Sequence, residues 1–125
     1  TALRWYRRAA EQGYPLAQFN LGQMLRQGKG GGASFDEAVQ WYRLAAAQGD
    51  PQALYNLGMS YANGDGVSRD DHEALRLFKR AAAVEFPGAA AAVKKHEARL
   101  AEAAAAAKQA DRAAAKARTG AAEIA

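Results

Sequence analysis

Apolar and polar positions along this chain recur with a period of 36 residues. Trp5-Tyr6-Arg7, followed by Ala9-Ala10, returns as Trp41-Tyr42-Arg43 with Ala45-Ala46, and in weaker form as Leu77-Phe78-Lys79 with Ala81-Ala82. Between them, Pro15-x-Ala17-x-x-Asn20-Leu21-Gly22 returns as Pro51-x-Ala53-x-x-Asn56-Leu57-Gly58. A fixed period of this length marks stacked supersecondary units, none of which can bury its apolar face alone.

Each period contains two stretches of helical spacing. Ala17, Leu21, Met24 and Leu25 share one face, matched by Ala53, Leu57 and Tyr61. Ala38, Trp41, Tyr42, Ala45 and Ala46 share another, matched by Ala74, Leu77, Phe78, Ala81 and Ala82. Pro15 and Pro51 suit the first helical position, and Asp50 can cap the helix that follows it. Ser34-x-x-Glu37 and Asp70-x-x-Glu73 read as capping boxes at matching positions, and Gly13 and Gly49 as helix stops. Gly22 and Gly58 fall inside helices, where glycine costs about 1 kcal/mol against alanine. Their matched placement predicts a neighbouring side chain too close to admit a Cβ. The expected fold is all-α, an α-solenoid of antiparallel helix pairs joined by glycine-rich turns near 28–33 and 64–69.

The sequence Ala53-x-x-Asn56-Leu57-Gly58-x-x-Tyr61-x-x-Gly64-x-Gly66-Val67-x-x-Asp70-x-x-x-Ala74, closing on Ala81-Ala82, resembles the Sel-one-like repeats of the tetratricopeptide superfamily. The resemblance covers roughly residues 1–92; the first copy departs from it, with Gly31 and Ser34 where the second has Val67 and Asp70. It divides the chain into the second helix of an incomplete repeat (1–13), two repeats (14–49 and 50–85), and a capping turn with an alanine-rich tail (86–125). Such proteins are common in bacteria and mediate protein–protein interaction, so the resemblance implies a non-enzymatic scaffold.

The third copy opens with Pro87 and Ala89 and then departs, with Val93-Lys94 where Leu-Gly stood and Glu97 where Tyr61 stood. From Ala89 to Ala125, 19 of 37 residues are alanine, which favours helix but offers little packing area. One long helix over 87–118 is predicted, its first turns capping the array and the rest projecting or fraying. Val93 and Leu100 are one heptad apart, but alanines follow at the next heptad positions, so a coiled coil is the secondary reading.

Composition narrows the chemistry. The net charge of +4 splits into +1 for residues 1–85 and +3 for residues 86–125. The repeats are therefore almost neutral, which argues against nucleic acid as a partner. No apolar run reaches the roughly 18 residues of a membrane span, and mean hydropathy is −0.40. The absence of cysteine excludes disulfides and thiolate metal sites. The chain opens partway into a helical repeat without an initiator Met, so it reads as a piece of a longer protein, and bacterial cytoplasm and periplasm both remain open.

By matching position, the resemblance implies a partner-binding concave face of Phe19, Asn20, Gln23, Arg26 and Gln27, repeated as Tyr55, Asn56, Met59 and Asn63. Asn20 and Asn56 each offer a donor and an acceptor to an extended peptide, or else bond a nearby carbonyl and fix repeat packing. Trp5, Tyr6, Trp41 and Tyr42 sit beside alanines at helical spacing and read as inter-helix packing. Arg7, Arg43 and Lys79, widened by Arg4, Arg8, Arg76 and Arg80, read as a solvated outer face. Gly28-Lys29-Gly30-Gly31-Gly32 lacks the Lys-Ser/Thr and the preceding strand of a phosphate loop. His72 and His96, the only histidines, show no catalytic or metal-ligand spacing. No cofactor or metal is expected; self-association through the C-terminal helix, or a spacer role, is the alternative function.

Overall fold

In the computed structural model, residues 2–28 and 34–124 are described, with side chains to residue 120. The glycine-rich turn read at 29–33, with the loop dismissed as a phosphate site, lies outside the described residues beyond Gly28. Six helices follow in order: α1 (Ala2–Glu11), α2 (Pro15–Gln27), α3 (Phe35–Ala47), α4 (Pro51–Asn63), α5 (Asp71–Ala83) and α6 (Ala89–Ile124). Each packs on the next in sequence, giving the α-solenoid that the period predicts.

The buried stripes are those of the two repeating patterns. Ala17, Leu21 and Leu25 of α2 meet Ala38, Val39, Tyr42 and Ala45 of α3, and the same cluster continues through Ala53, Leu54 and Leu57 to Leu77, Ala81 and Ala89. Phe78, with Ala62 and Ala74, anchors a smaller cluster at the C-terminal end. The matched glycines explain the aromatic positions. A Cβ at Gly22 would lie 2.8 Å from the Tyr42 ring, and one at Gly58 would lie 2.9 Å from the Phe78 ring. Each glycine thus lets the following helix seat an aromatic ring against its backbone.

The helix ends are copied with equal regularity. Gln12, Gly13 and Tyr14 donate their amides to Ala9, Ala10 and Ala9; Gln48, Gly49 and Asp50 repeat this on Ala45 and Ala46, and Val84, Glu85 and Phe86 on Ala81 and Ala82. This is a Schellman closure, whose middle residue must be left-handed. Gly13 and Gly49 meet that need at φ 96° and 85°, but the third copy has Glu85 at φ 58°. A non-glycine residue there costs roughly 1–2 kcal/mol in the left-handed region. Part of that cost is recovered as glycine's greater freedom in the unfolded chain. Glu85→Gly is therefore expected to stabilise the chain by about 0.5–1 kcal/mol. Urea unfolding checks it, and an unchanged midpoint would show that the strain is relieved elsewhere.

Both capping boxes differ from expectation, although the aspartates cap as expected. Asp50 and Asp70 accept from the amides of Ala53 and Glu73 at 2.9 and 3.1 Å. Ser34 occupies the cap position without a side-chain bond. Neither box closes reciprocally, because the amides of Ser34 and Asp70 are already taken by the carbonyls of Leu25 and Tyr61, one helix back. Glu37 is bound instead by Arg7 and Glu73 by Arg76. In the third copy Pro87 precedes the helix rather than entering it, since Gly88 is left-handed at φ 85°. The final helix begins at Ala89 and runs past the expected end at 118, as far as Ile124.

The N-terminal aromatics depart furthest from expectation. Tyr42 is 1% exposed, as packing requires, whereas Trp5 is 70% and Tyr6 37% exposed. The roof over Tyr42 is α2 and that over Phe78 is α4; no described helix occupies the corresponding place over α1.

Candidate functional site

Helices α2, α4 and α6 hold equivalent places in the array, and between α4 and α6 lies a cavity of about 350 Å³. One wall is α4, which supplies Tyr55, Met59 and Asn63; the other is α6, which supplies Lys95, His96 and Arg99. Residues 55, 59 and 63 are spaced four apart, so they line one helical face. Residues 92, 95, 96 and 99 do the same across the groove. The arrangement offers an aromatic ring, a thioether, an amide and two cations around an apolar floor. Such a surface suits a polypeptide segment carrying an acidic group more than a small reactive substrate.

The structure separates the remaining residues expected on this face. Phe19 is buried, its ring tilted against Tyr42 at a centroid distance of 5.8 Å, so it packs between helices and is not offered to a partner. Gln23 accepts the Tyr42 hydroxyl, an internal bond within the same helix pair. Burial pushes the Tyr42 phenol up, and the charge of half-buried Arg26 opposes that rise. Asn20 borders a different groove, between α1 and α2. Asn56 donates to the carbonyl of Gln52 at 2.8 Å, one turn back on its own helix. The two asparagines therefore do not share one surface cavity. Gln27 is exposed beside the C-terminal end of α2.

Three groove residues escaped the sequence reading. Lys95, His96 and Arg99 sit in a stretch that departs from the repeat, so matching by repeat position does not reach them. The available signal was the stripe Ala89, Ala92, Val93, His96 and Leu100, whose spacing puts one face of the first turns against α5. His96 is 4% exposed and stacks on Phe78 at a centroid distance of 5.0 Å and an interplanar angle of 22°.

His96 also carries a pH dependence. Burial lowers its affinity for a proton, and Lys95 and Arg69 add to this, while Asp71 at the start of α5 pulls the other way. Nδ1 of His96 and Oδ1 of Asp71 are both buried without a hydrogen-bond partner, and Arg99 lies 4.0 Å from that Asp71 oxygen. The folded protein thus keeps His96 neutral where the unfolded chain, at its ordinary value of 6.5, binds a proton. The resulting stability is fully present above that value and is lost as the pH falls below it. Thermal unfolding is expected at a lower temperature near pH 5.5 than near pH 7.5, and His96→Phe should flatten much of that difference. An unchanged pH profile in the variant would assign the dependence to other groups.

The outer face reads as anticipated. Arg7 pairs with Glu37 at 3.0 Å, Arg43 donates to the Tyr61 hydroxyl at 2.8 Å, and Arg76 pairs with Glu73. Such exposed contacts contribute about 0–1 kcal/mol each. No helix of the described residues is long and apolar enough to cross a membrane.

Known proteins place this architecture. A Sel1 repeat protein from Oxalobacter formigenes is 38% identical with a TM-score of 0.71, over 74% of this chain and 69% of that one. The protective antigen c5321 of uropathogenic Escherichia coli, which has an SLR fold, is 37% identical with a TM-score of 0.75. That match takes in 78% of this chain but only 21% of the antigen. Helicobacter pylori cysteine rich protein B shares the fold at 22% identity and a TM-score of 0.68, over 71% of this chain and 67% of that one. Nothing among curated proteins matches. The Sel1 repeat profile matches residues 1–14, 15–50 and 51–83 in the register of the 36-residue period, and the chain belongs to the Sel1 repeat family.

Proposed function

We propose that this chain is a non-enzymatic interaction module that binds a segment of a partner protein along the face built by α2, α4 and α6. Sel1 repeat proteins are generally helical-repeat scaffolds for protein interaction. The observation that carries the reading is the α4–α6 cavity, where Tyr55, Met59 and Asn63 meet Lys95 and Arg99 across one groove. The mechanism is preorganisation: stacked helices hold these groups in place before the partner arrives, so little side-chain freedom is lost on binding. Arg26 and Gln27 of α2 would extend the same face.

The test is an affinity capture from bacterial fractions with the native chain and with the Met59→Ala/Asn63→Ala variant as baits. A protein held by the native chain and released by a variant of unchanged Tm supports groove binding. Identical retained sets, or none, would sink this reading.

A spacer or self-association role is the second reading, favoured by the exposure of every residue from Ala101 to Thr119 in α6. Sedimentation equilibrium of the chain with and without residues 98–125 decides its associating form. A monomer in both cases removes it.

A further inference from the structure

The two repeats diverge in chemistry on the outer face. In the first, Arg7 of α1 pairs with Glu37 of α3 at 3.0 Å. A shift of 36 residues carries that pair onto Arg43 and Glu73. There the pair does not form. Glu73 is bound by Arg76, and Arg43 instead donates to the Tyr61 hydroxyl at 2.8 Å, its guanidinium 5.9 Å from the ring centre.

The residues that differ between the repeats supply the cause. Arg76 stands where the first repeat has Gln40, which gives Glu73 a cation one turn away on its own helix. Tyr61 stands where Leu25 does and offers Arg43 a hydroxyl oxygen. Arg80 replaces Leu44, and Leu77 replaces the larger Trp41. Between α3, α4 and α5 lies a cavity of about 250 Å³, floored by the buried Leu57 and Leu77. Three arginines and one glutamate line it, a net charge of +2. The matching positions of the first repeat hold Arg7, Glu11 and Glu37, a net charge of −1. Among the described residues, neither Arg43 nor Arg80 has a carboxylate partner.

Such a cavity selects its ligand by charge and by oxygen count. A carboxylate carries one charge and two oxygens, which a single guanidinium fork satisfies. A phosphate monoester carries about −1.5 to −2 charge near pH 7 and three strong acceptor oxygens. It matches the charge of the cavity, and forks from α3 and α5 can hold it together. The Tyr61 hydroxyl accepts from Arg43 and so keeps its own proton to donate. The volume is below the roughly 300–1,000 Å³ of sites that enclose a whole drug-sized ligand. One phosphate group with a short apolar stem suits it better than a nucleotide does.

We propose that the cavity between α3, α4 and α5 binds a phosphate group, free or as the monoester of a small molecule, between Arg43 and Arg80. It shares no lining residue with the α4–α6 groove and does not depend on that reading. Arg76 acts indirectly: by holding Glu73 it leaves Arg43 available to the anion.

The test is a 1H–15N NMR titration of the full chain at pH 7.5 and constant low ionic strength. Sodium phosphate, phenyl phosphate and sodium acetate are the separate titrants. Saturable shifts are expected at Arg43, Tyr61 and Arg80 with the phosphates, and acetate should bind at least about tenfold more weakly. Tighter binding of phenyl phosphate would identify the ester as the ligand, and binding of phosphate at least as tight would identify the free ion; either supports the site. Arg80→Leu and Arg76→Gln install the residues of the first repeat, and each should weaken binding about tenfold at unchanged Tm. Arg8→Gln removes the same charge from the exposed surface of α1 and sets the non-specific background. Losses no larger than that background, acetate binding as tightly as phosphate, or no saturable shift would overturn the proposal.

Discussion

Phe78→Ala is expected to cost about 3–5 kcal/mol, the largest loss from any single truncation in this chain. The ring is fully buried, and three residues of two helices close on it: Gly58 and Tyr55 of α4, and His96 of α6. Removing it empties the centre of the C-terminal cluster and strips the first turns of α6 of the surface they dock on. Against a total stability of about 5–15 kcal/mol for a native domain, such a loss threatens the last repeat. Because repeats contact mainly their neighbours, the damage should be local. Amides between Ala89 and Leu100 should lose hydrogen-exchange protection first, while α2 and α3 stay protected. A loss of under about 1 kcal/mol, or uniform deprotection along the chain, would mean that Phe78 is not the keystone of that end.

Gly58→Leu should be the most damaging insertion, at about 3 kcal/mol, although leucine is the better helix former by close to 1 kcal/mol. The first added atom would lie 2.9 Å from the Phe78 ring, and the branched remainder has nowhere to go without parting α4 from α5. Gly120→Ala serves as the control, since a Cβ there meets nothing within 4 Å. It should be neutral or stabilising by up to about 1 kcal/mol. Opposite signs at two helical glycines would separate a packing requirement from a propensity effect. A double-mutant cycle sharpens the point: Gly58→Ala combined with Phe78→Leu should cost less than the two changes summed, because the smaller residue relieves the contact. Additive costs measured by urea unfolding would refute direct contact as the reason for the glycine.

The sequence announced most of the fold because repetition makes local rules visible. The period placed α2 through α5, the proline and aspartate at the α4 start, and the glycine stops. The close approach at Gly22 and Gly58 was also legible, since an unfavourable helical residue returning in register needs a tertiary cause. Less was visible at the capping boxes. Spacing alone suggested that Ser34 would cap and that Glu37 and Glu73 would reach back, yet an amide is satisfied only once. The carbonyls of Leu25 and Tyr61 had already claimed it across the helix pair.

The proposed binding face divides in the same way. Matching position put Tyr55, Met59 and Asn63 on one helical face, and they do meet in one groove. It could not show that Phe19 turns inward under Tyr42, or that Asn56 bonds its own helix. Helical periodicity fixes which residues share a side, but not which neighbour covers it.

By itself, then, the sequence determined the helices, their order, the all-α stack and the family, since each follows from spacing along one chain. Tertiary structure decided which members of a repeated set are exposed. Trp5 and Tyr6 have the same local pattern as Trp41 and Tyr42, yet Tyr6 stands open to solvent and Tyr42 is buried. Likewise Lys95, His96 and Arg99 belong to a stretch without the repeat signature and still complete the groove opposite α4. The physical reason is common to both. Burial is a property of pairs of helices, so identical segments acquire different environments according to whether a neighbouring helix is stacked against them.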